Sequence, residues 1–114
     1  MAKDDLVYLG HMLDSARDAL SLLEGKGRED FEADRALKIA ITHLLQVIGE
    51  AAGRVSKDFR DSRPEIPWRQ VVGMRHKVVH EYFAVDENVI WQTAVEDLPA
   101  LIVLLDTILG PQQE

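Results

Sequence analysis

Asp58 to Pro67 reads DFRDSRPEIP, and this stretch decides the fold. Pro64 and Pro67 lack the amide hydrogen that an α-helix uses, and each restricts the residue before it, so no regular helix crosses here. On both sides the apolar residues recur at three- and four-residue steps, the helical period. Upstream, a helix from about Arg28 to about Phe59 carries Phe31, Ala36, Ile39, Ala40, His43, Leu44, Val47, Ile48 and Ala51 as its apolar stripe. Gly49 and Gly53 interrupt it, each at a cost of up to about 1 kcal/mol relative to Ala. Close helix–helix approach explains such glycines; a bend is the other possibility. Further upstream, Leu6, Leu9, Met12, Leu13, Ala16, Leu20 and Leu23 define a first helix. Asp4 or Asp5 can cap it, and Gly25 and Gly27 end it near Glu24. Downstream, Pro67 suits the first turn of a third helix from Trp68 to about Phe83. A fourth starts at Asp86 with Val89, Ile90, Trp91, Ala94 and Val95, and Pro99 kinks or restarts it after Asp97. Leu101 to Leu109 completes it, ended by Gly110 and Pro111.

No strand pattern, repeat or low-complexity tract occurs. The expected architecture is all-α, an antiparallel up-and-down four-helix bundle forming a single domain over residues 1–114, with the last helix kinked or split near Pro99. That last helix is apolar on more than one side, which points to a subunit interface and a homodimer.

A chain of 114 residues buries roughly two thirds of its unfolded surface, enough for one core. It has no cysteine, hence neither disulfides nor thiolate metal ligands. The opening MAKDDLVYLG lacks the apolar stretch of a secretory signal, and no uninterrupted apolar run reaches the roughly 18 residues that span a bilayer. The expectation is a cytoplasmic protein without a membrane partner. A net charge of −7 argues against coating nucleic acid by charge alone. The charge is uneven, however. Residues 54–77 hold seven basic and three acidic side chains, a local +4 against −11 elsewhere. A solvated face accounts for this, and so does a local anion site.

The third helix ends Met74-Arg75-His76-Lys77-Val78-Val79-His80-Glu81-Tyr82-Phe83. Three readings apply. His76 and His80, four apart, can bind a metal from one helical face, with Glu50 or Glu81 recruited as a third ligand, although the glutamate that follows the first histidine in zinc proteases is missing. Alternatively the histidines only pack beside a core stripe of Val72, Val79, Tyr82 and Phe83. In the third reading, the groups serve acid–base and phosphate chemistry. Histidine exchanges a proton near neutrality, arginine offers a planar fork matching phosphate oxygens, and tyrosine adds a hydroxyl. These groups suffice to cut RNA without a metal or other cofactor. On a straight helix Arg75 and Tyr82 are nearly superposed, whereas Arg75 and His80 lie about 140° apart. One helix therefore does not aim both at one atom. A two-fold dimer with third helices side by side supplies two of each group.

Arg75 to Tyr82 fits R-x-x-x-x-H-x-Y, and the chain resembles the HEPN-domain ribonucleases, in particular the HepT-like toxins of toxin–antitoxin pairs. The likeness includes Ile48-Gly49-Glu50-Ala51-Ala52, Pro64-Glu65-Ile66-Pro67-Trp68-Arg69, Val71-Val72-Gly73-Met74-Arg75 and His80-Glu81-Tyr82-Phe83 leading to Trp91. It runs from about Leu6 to Leu109. The resemblance implies a helical dimer with metal-independent endoribonuclease activity. It implies that Arg75 polarises the scissile phosphate, that His80 is the acid–base group and that Tyr82 positions the phosphate. It also implies a nucleotidyltransferase antitoxin partner, MntA-like, that attaches AMP to Tyr82 and silences the toxin. His76 stands where many members carry a polar residue such as asparagine. His76, Glu50 and Lys77 form a second tier of site residues. The rival reading is a non-catalytic helical module that binds a nucleotide or a protein partner.

Overall fold

The computed structural model describes residues 3–79 and 87–110, with side chains for 4–75 and 87–110. Helix α1 runs Lys3–Leu23 and buries Leu9, Met12, Leu13, Ala16, Ala19 and Leu23. Gly25, at φ +76°, turns the chain left-handed just past its end, a conformation open to glycine. Asp4 and Asp5, the expected caps, both fall in the first turn of α1. The Asp5 carboxylate, only 3% exposed, instead accepts hydrogen bonds from the Ser56 amide at 2.8 Å and the Ser56 hydroxyl at 2.7 Å.

The expected second helix is three helices, α2 Arg28–Ala33, α3 Arg35–Arg54 and α4 Lys57–Ser62. Asp34 leaves the helical region at φ −110°, ψ 100°, and its side chain accepts from the Leu37 amide. This caps α3 and ends α2. At the other break Val55 is extended and buried, while the Ser56 side chain accepts from the Phe59 amide to cap α4. Short polar side chains here outcompete helix propagation by bonding the backbone locally. The buried stripe of α3 also differs from the expected one. Leu37, Ile41, Leu45, Ile48, Ala51 and Ala52 face the core, whereas Ala36 and His43 are exposed and Ile39 is 56% exposed. Both stripes are apolar at helical spacing, so packing against α1 and α5 rather than periodicity selects between them.

Helix α5 spans Trp68–Val79. Pro67 sits immediately before it, and the Pro67 carbonyl accepts from the Val71 amide at 3.0 Å. The proline-rich turn is packed: Ile66 is buried, the Trp68 indole donates to the Arg63 carbonyl at 2.9 Å, and its ring meets Phe59 edge-on at 6.2 Å. Helix α6 spans Glu87–Gln92, a π-helical turn covers Thr93–Asp97, and α7 runs Leu98–Leu109. The restart expected at Pro99 is present, with the proline in the first turn of α7, where a missing amide hydrogen costs least. Gly110, at φ +76°, ends α7.

Helix α3 packs between α1 and α5, and α1 also packs on α7. Phe31 of α2 meets Trp91 of α6 at 5.5 Å between ring centres. No strand occurs among the described residues, and the buried apolar side chains form one cluster. The all-α expectation holds. The packing order α7–α1–α3–α5, however, leaves α5 and α7 with little mutual contact. A small cleft between them is lined by Val71, Met74, Leu101 and Leu104. Residues 87–109 form a continuous stretch that is long and apolar enough, by length and composition, to cross a bilayer. Ile90, Leu98, Leu101 and Leu105 are buried within the protein, and 33% of the most apolar window of this stretch is buried in all. Val103 on its outer side is 63% exposed, in keeping with an apolar surface beyond the one that α1 covers.

Candidate functional site

Arg75 is the eighth of the twelve residues of α5, and α3 fixes its main chain. A Cβ placed on Gly49 would sit 2.6 Å from the Arg75 amide nitrogen, 2.9 Å from the Arg75 Cβ and 3.1 Å from the Val72 carbonyl oxygen. The two backbones therefore touch at this point, and of the two explanations for Gly49, close approach is the one realised. Gly53 differs: its added Cβ would come no nearer than 4.0 Å to Val72, an ordinary contact. The backbone of Arg75 is pinned while its residue remains exposed. Among the described residues its guanidinium makes no ion pair or side-chain hydrogen bond. A guanidinium that is exposed, has no partner among the described residues and stands on a backbone held by its neighbour offers a donor fork to an anion.

Glu50 is exposed beside Gly49 and makes no ion pair to Arg75 among the described residues. The contact that positions Arg75 is the backbone of its neighbour, Gly49. His76 and Lys77 belong to α5, with side chains outside the described set. His80 and Tyr82 lie outside the described residues altogether, as does the H-x-x-x-H pairing that a metal reading needs. Among the described residues no group of three or more histidine, aspartate or glutamate side chains is placed to hold a metal ion.

The basic segment of residues 54–77 resolves into distinct environments. Lys57 pairs with Asp61 at 2.7 Å and Arg63 with Glu65 at 3.5 Å. Arg54, Arg60 and Arg69, like Arg75, have no ion pair among the described residues. Lys57, Arg60, Asp61, Trp68, Arg69 and Gly73 line an open groove of about 590 Å³ between α4 and α5. Sequence reasoning registered the surplus charge but not this grouping. The positions come from two helices joined by the proline-rich turn, and only the turn's geometry brings them together.

The comparisons with known proteins agree with the motif. The family description Ribonuclease HepT-like matches residues 12–108. "Putative RNase TTE0752" of Caldanaerobacter subterraneus subsp. tengcongensis is 37% identical over 94 residues, 82% of this chain and 84% of that protein. "Probable ribonuclease HepT" of Thermococcus cleftensis is 41% identical over 93 residues, 78% of this chain and 84% of that protein. "Putative RNase MJ0125" of Methanocaldococcus jannaschii is 33% identical over 115 aligned positions, covering 100% of this chain and 99% of that protein. No solved structure gives a significant match. A family match over most of the helical domain, relatives above 30% identity along most of their length, and an arginine held exposed at the head of R-x-x-x-x-H-x-Y lead to one assignment: this chain belongs to the HepT-like ribonuclease family.

Proposed function

We propose that the protein is a metal-independent endoribonuclease acting as the toxin of a toxin–antitoxin pair. The observation that carries this reading is Arg75, exposed, without an ion pair among the described residues and braced against Gly49, at the start of the family motif. Arg75 binds the non-bridging oxygens of the scissile phosphate and stabilises the charge of the pentacoordinate transition state. A histidine base takes the ribose 2′-hydroxyl proton, and the 2′-oxygen bonds to phosphorus. The bond to the 5′-oxygen breaks as an acid protonates that oxygen, leaving a 2′,3′-cyclic phosphate and a free 5′-hydroxyl. His80 fills the acid–base role and Tyr82 orients the phosphate. A homodimer brings two copies of the motif together and so supplies both acid and base.

Regulation follows from the same residues. Attachment of AMP to Tyr82 by a cognate MntA-like nucleotidyltransferase puts bulk and negative charge where an RNA phosphate sits, and repulsion blocks binding. The pair works in the cytoplasm. His76, Lys77 and Glu50 are the second tier of candidates, His76 as a hydrogen-bonding or proton-carrying neighbour.

The test is cleavage of RNA by purified protein in excess EDTA. Cutting persists under chelation, and His80→Ala lowers its rate by about 10²–10⁴-fold, as expected for a positioned acid–base group. Loss of cutting on chelation, or a His80→Ala enzyme as active as its parent, overturns the mechanism. Absence of cutting in every form of the protein leaves the rival reading, a partner-binding helical module.

A further inference from the structure

We infer that the groove between α4 and α5 is the track along which single-stranded RNA approaches the cleavage site, with Arg60 and Arg69 gripping its phosphates. This inference rests on the ribonuclease reading above. Three independent features support it. First, the charges. Arg60 and Arg69 line one groove with no ion pair among the described residues, in a chain that carries 20 acidic residues. The acid beside them, Asp61, is taken by Lys57 at 2.7 Å. Neither guanidinium is neutralised by an ion pair among the described residues, so both are available to an anion in the groove. The Arg60 Nε is buried without a hydrogen-bond partner among the described residues, so a phosphate in the groove meets the outer nitrogens of that guanidinium.

Second, Gly73. It sits inside α5 and lines the groove. A Cβ there would meet nothing within 4 Å. Packing therefore gives no reason for a residue that costs up to about 1 kcal/mol in a helix. An open groove floor does: any side chain at position 73 projects into the channel. Third, Trp68 lines the same groove, held by its bond to the Arg63 carbonyl and by Phe59. A rigid indole gives bases or riboses an apolar surface without sequence preference. Arg75 lies six residues beyond Arg69 in α5, about 9 Å along the axis and about 120° around it. RNA seated on Arg69 therefore has to curve round the helix to reach Arg75.

The experiment uses full-length protein and a labelled oligouridine of about twelve nucleotides, a length one such groove accommodates. Binding is followed by fluorescence anisotropy against salt in the His80→Ala background. Cleavage of the same oligomer and of a dinucleotide is compared in the active background. Arg60→Ala/Arg69→Ala and Arg69→Glu lower kcat/KM on the oligomer by at least about tenfold more than on the dinucleotide. The double variant flattens the salt dependence of binding by about 1.4, the value for two lost phosphate contacts on a single strand. Gly73→Leu weakens oligomer binding while its melting temperature holds or rises, opposite signs that a merely structural glycine does not give. Unchanged affinity and salt slope in all three variants overturn the inference, as does a polyglutamate peptide that binds the groove where oligouridine does not. A parent protein that cuts no RNA defeats the ribonuclease reading instead, and anisotropy still decides the groove.

Discussion

Gly49 and Arg75 are in backbone contact: the space that a methyl group on Gly49 would need, 2.6 Å from the Arg75 amide nitrogen, is already occupied. The atom in the way is main chain, so it cannot swing aside as a flexible side-chain tip does. Gly49→Ala must push α5 away from α3. The expected outcome is a loss of about 1–3 kcal/mol, typical of overpacking, with a fall in kcat larger than any rise in KM because Arg75 moves with its helix. Gly10→Ala is the control. Gly10 lies inside α1 with nothing within 4 Å of an added Cβ, so the substitution stabilises by about 0.5–1 kcal/mol. Thermal melts paired with RNA cleavage separate the two cases.

Arg75→Ala removes an exposed side chain with no partner among the described residues, so melting should stay within about 0.5 kcal/mol of the parent. RNA cleavage should fall by about 10²-fold or more, the usual loss on deleting a donor that stabilises transition-state charge. Arg75→Lys should recover little, because a point charge does not reproduce the two-pronged fork. Full activity in either variant removes Arg75 from the chemistry.

Asp5 and Ser56 should be energetically coupled although 51 residues apart. Ser56→Ala removes the cap of α4 at a cost of about 1 kcal/mol. Asp5→Ala leaves the Ser56 amide unpaired and costs about 1–3 kcal/mol. A double-mutant cycle in urea should return a coupling of about 0.5–3 kcal/mol; strict additivity would mean that the bond contributes nothing to stability.

Co-production with a nucleotidyltransferase antitoxin should add AMP-sized mass increments to the peptide bearing Tyr82, and Tyr82→Phe should abolish both the increments and the protection from toxicity. Mass spectrometry of the intact and digested protein reads this directly. Increments on another peptide would move the modification site.

What was legible in the sequence was the helical period and its strongest punctuation. Pro64 and Pro67 marked the turn before α5, Pro99 the restart of α7, and Gly25 and Gly110 the two left-handed ends. The break at Ser56 was not legible from periodicity: Ser56 caps α4 locally, and the carboxylate from α1 that holds it in place lies in no local window. Nor was the face of α3: Ala36, Ile39 and Ala40 compete with Leu37, Ile41 and Leu45 as apolar rows, and only the neighbouring helices choose. In the site, R-x-x-x-x-H-x-Y was readable as a motif, while Gly49 and Gly53 read alike as a close approach or a bend and only the packing singled out Gly49. The groove of Arg60, Trp68 and Arg69 was not, since charge counted along a chain carries no direction in space.

The wide turn at Thr93–Asp97 closes with the Leu98 amide bonded to the Thr93 carbonyl, five residues back. In an ordinary α-helix, buried positions spaced four apart creep around the axis by about 40° at each step. Ile90, Ala94 and Leu98 are spaced in this way, yet all are buried. The turn acts as a phase corrector, absorbing one residue so that the inner row of α6 runs straight into Leu98, Leu101 and Leu105. Deleting a single residue within this turn would return it to an ordinary α-helix and leave the leucines on α1, whereas deleting one elsewhere in the helix would rotate one side against the other by roughly 100°.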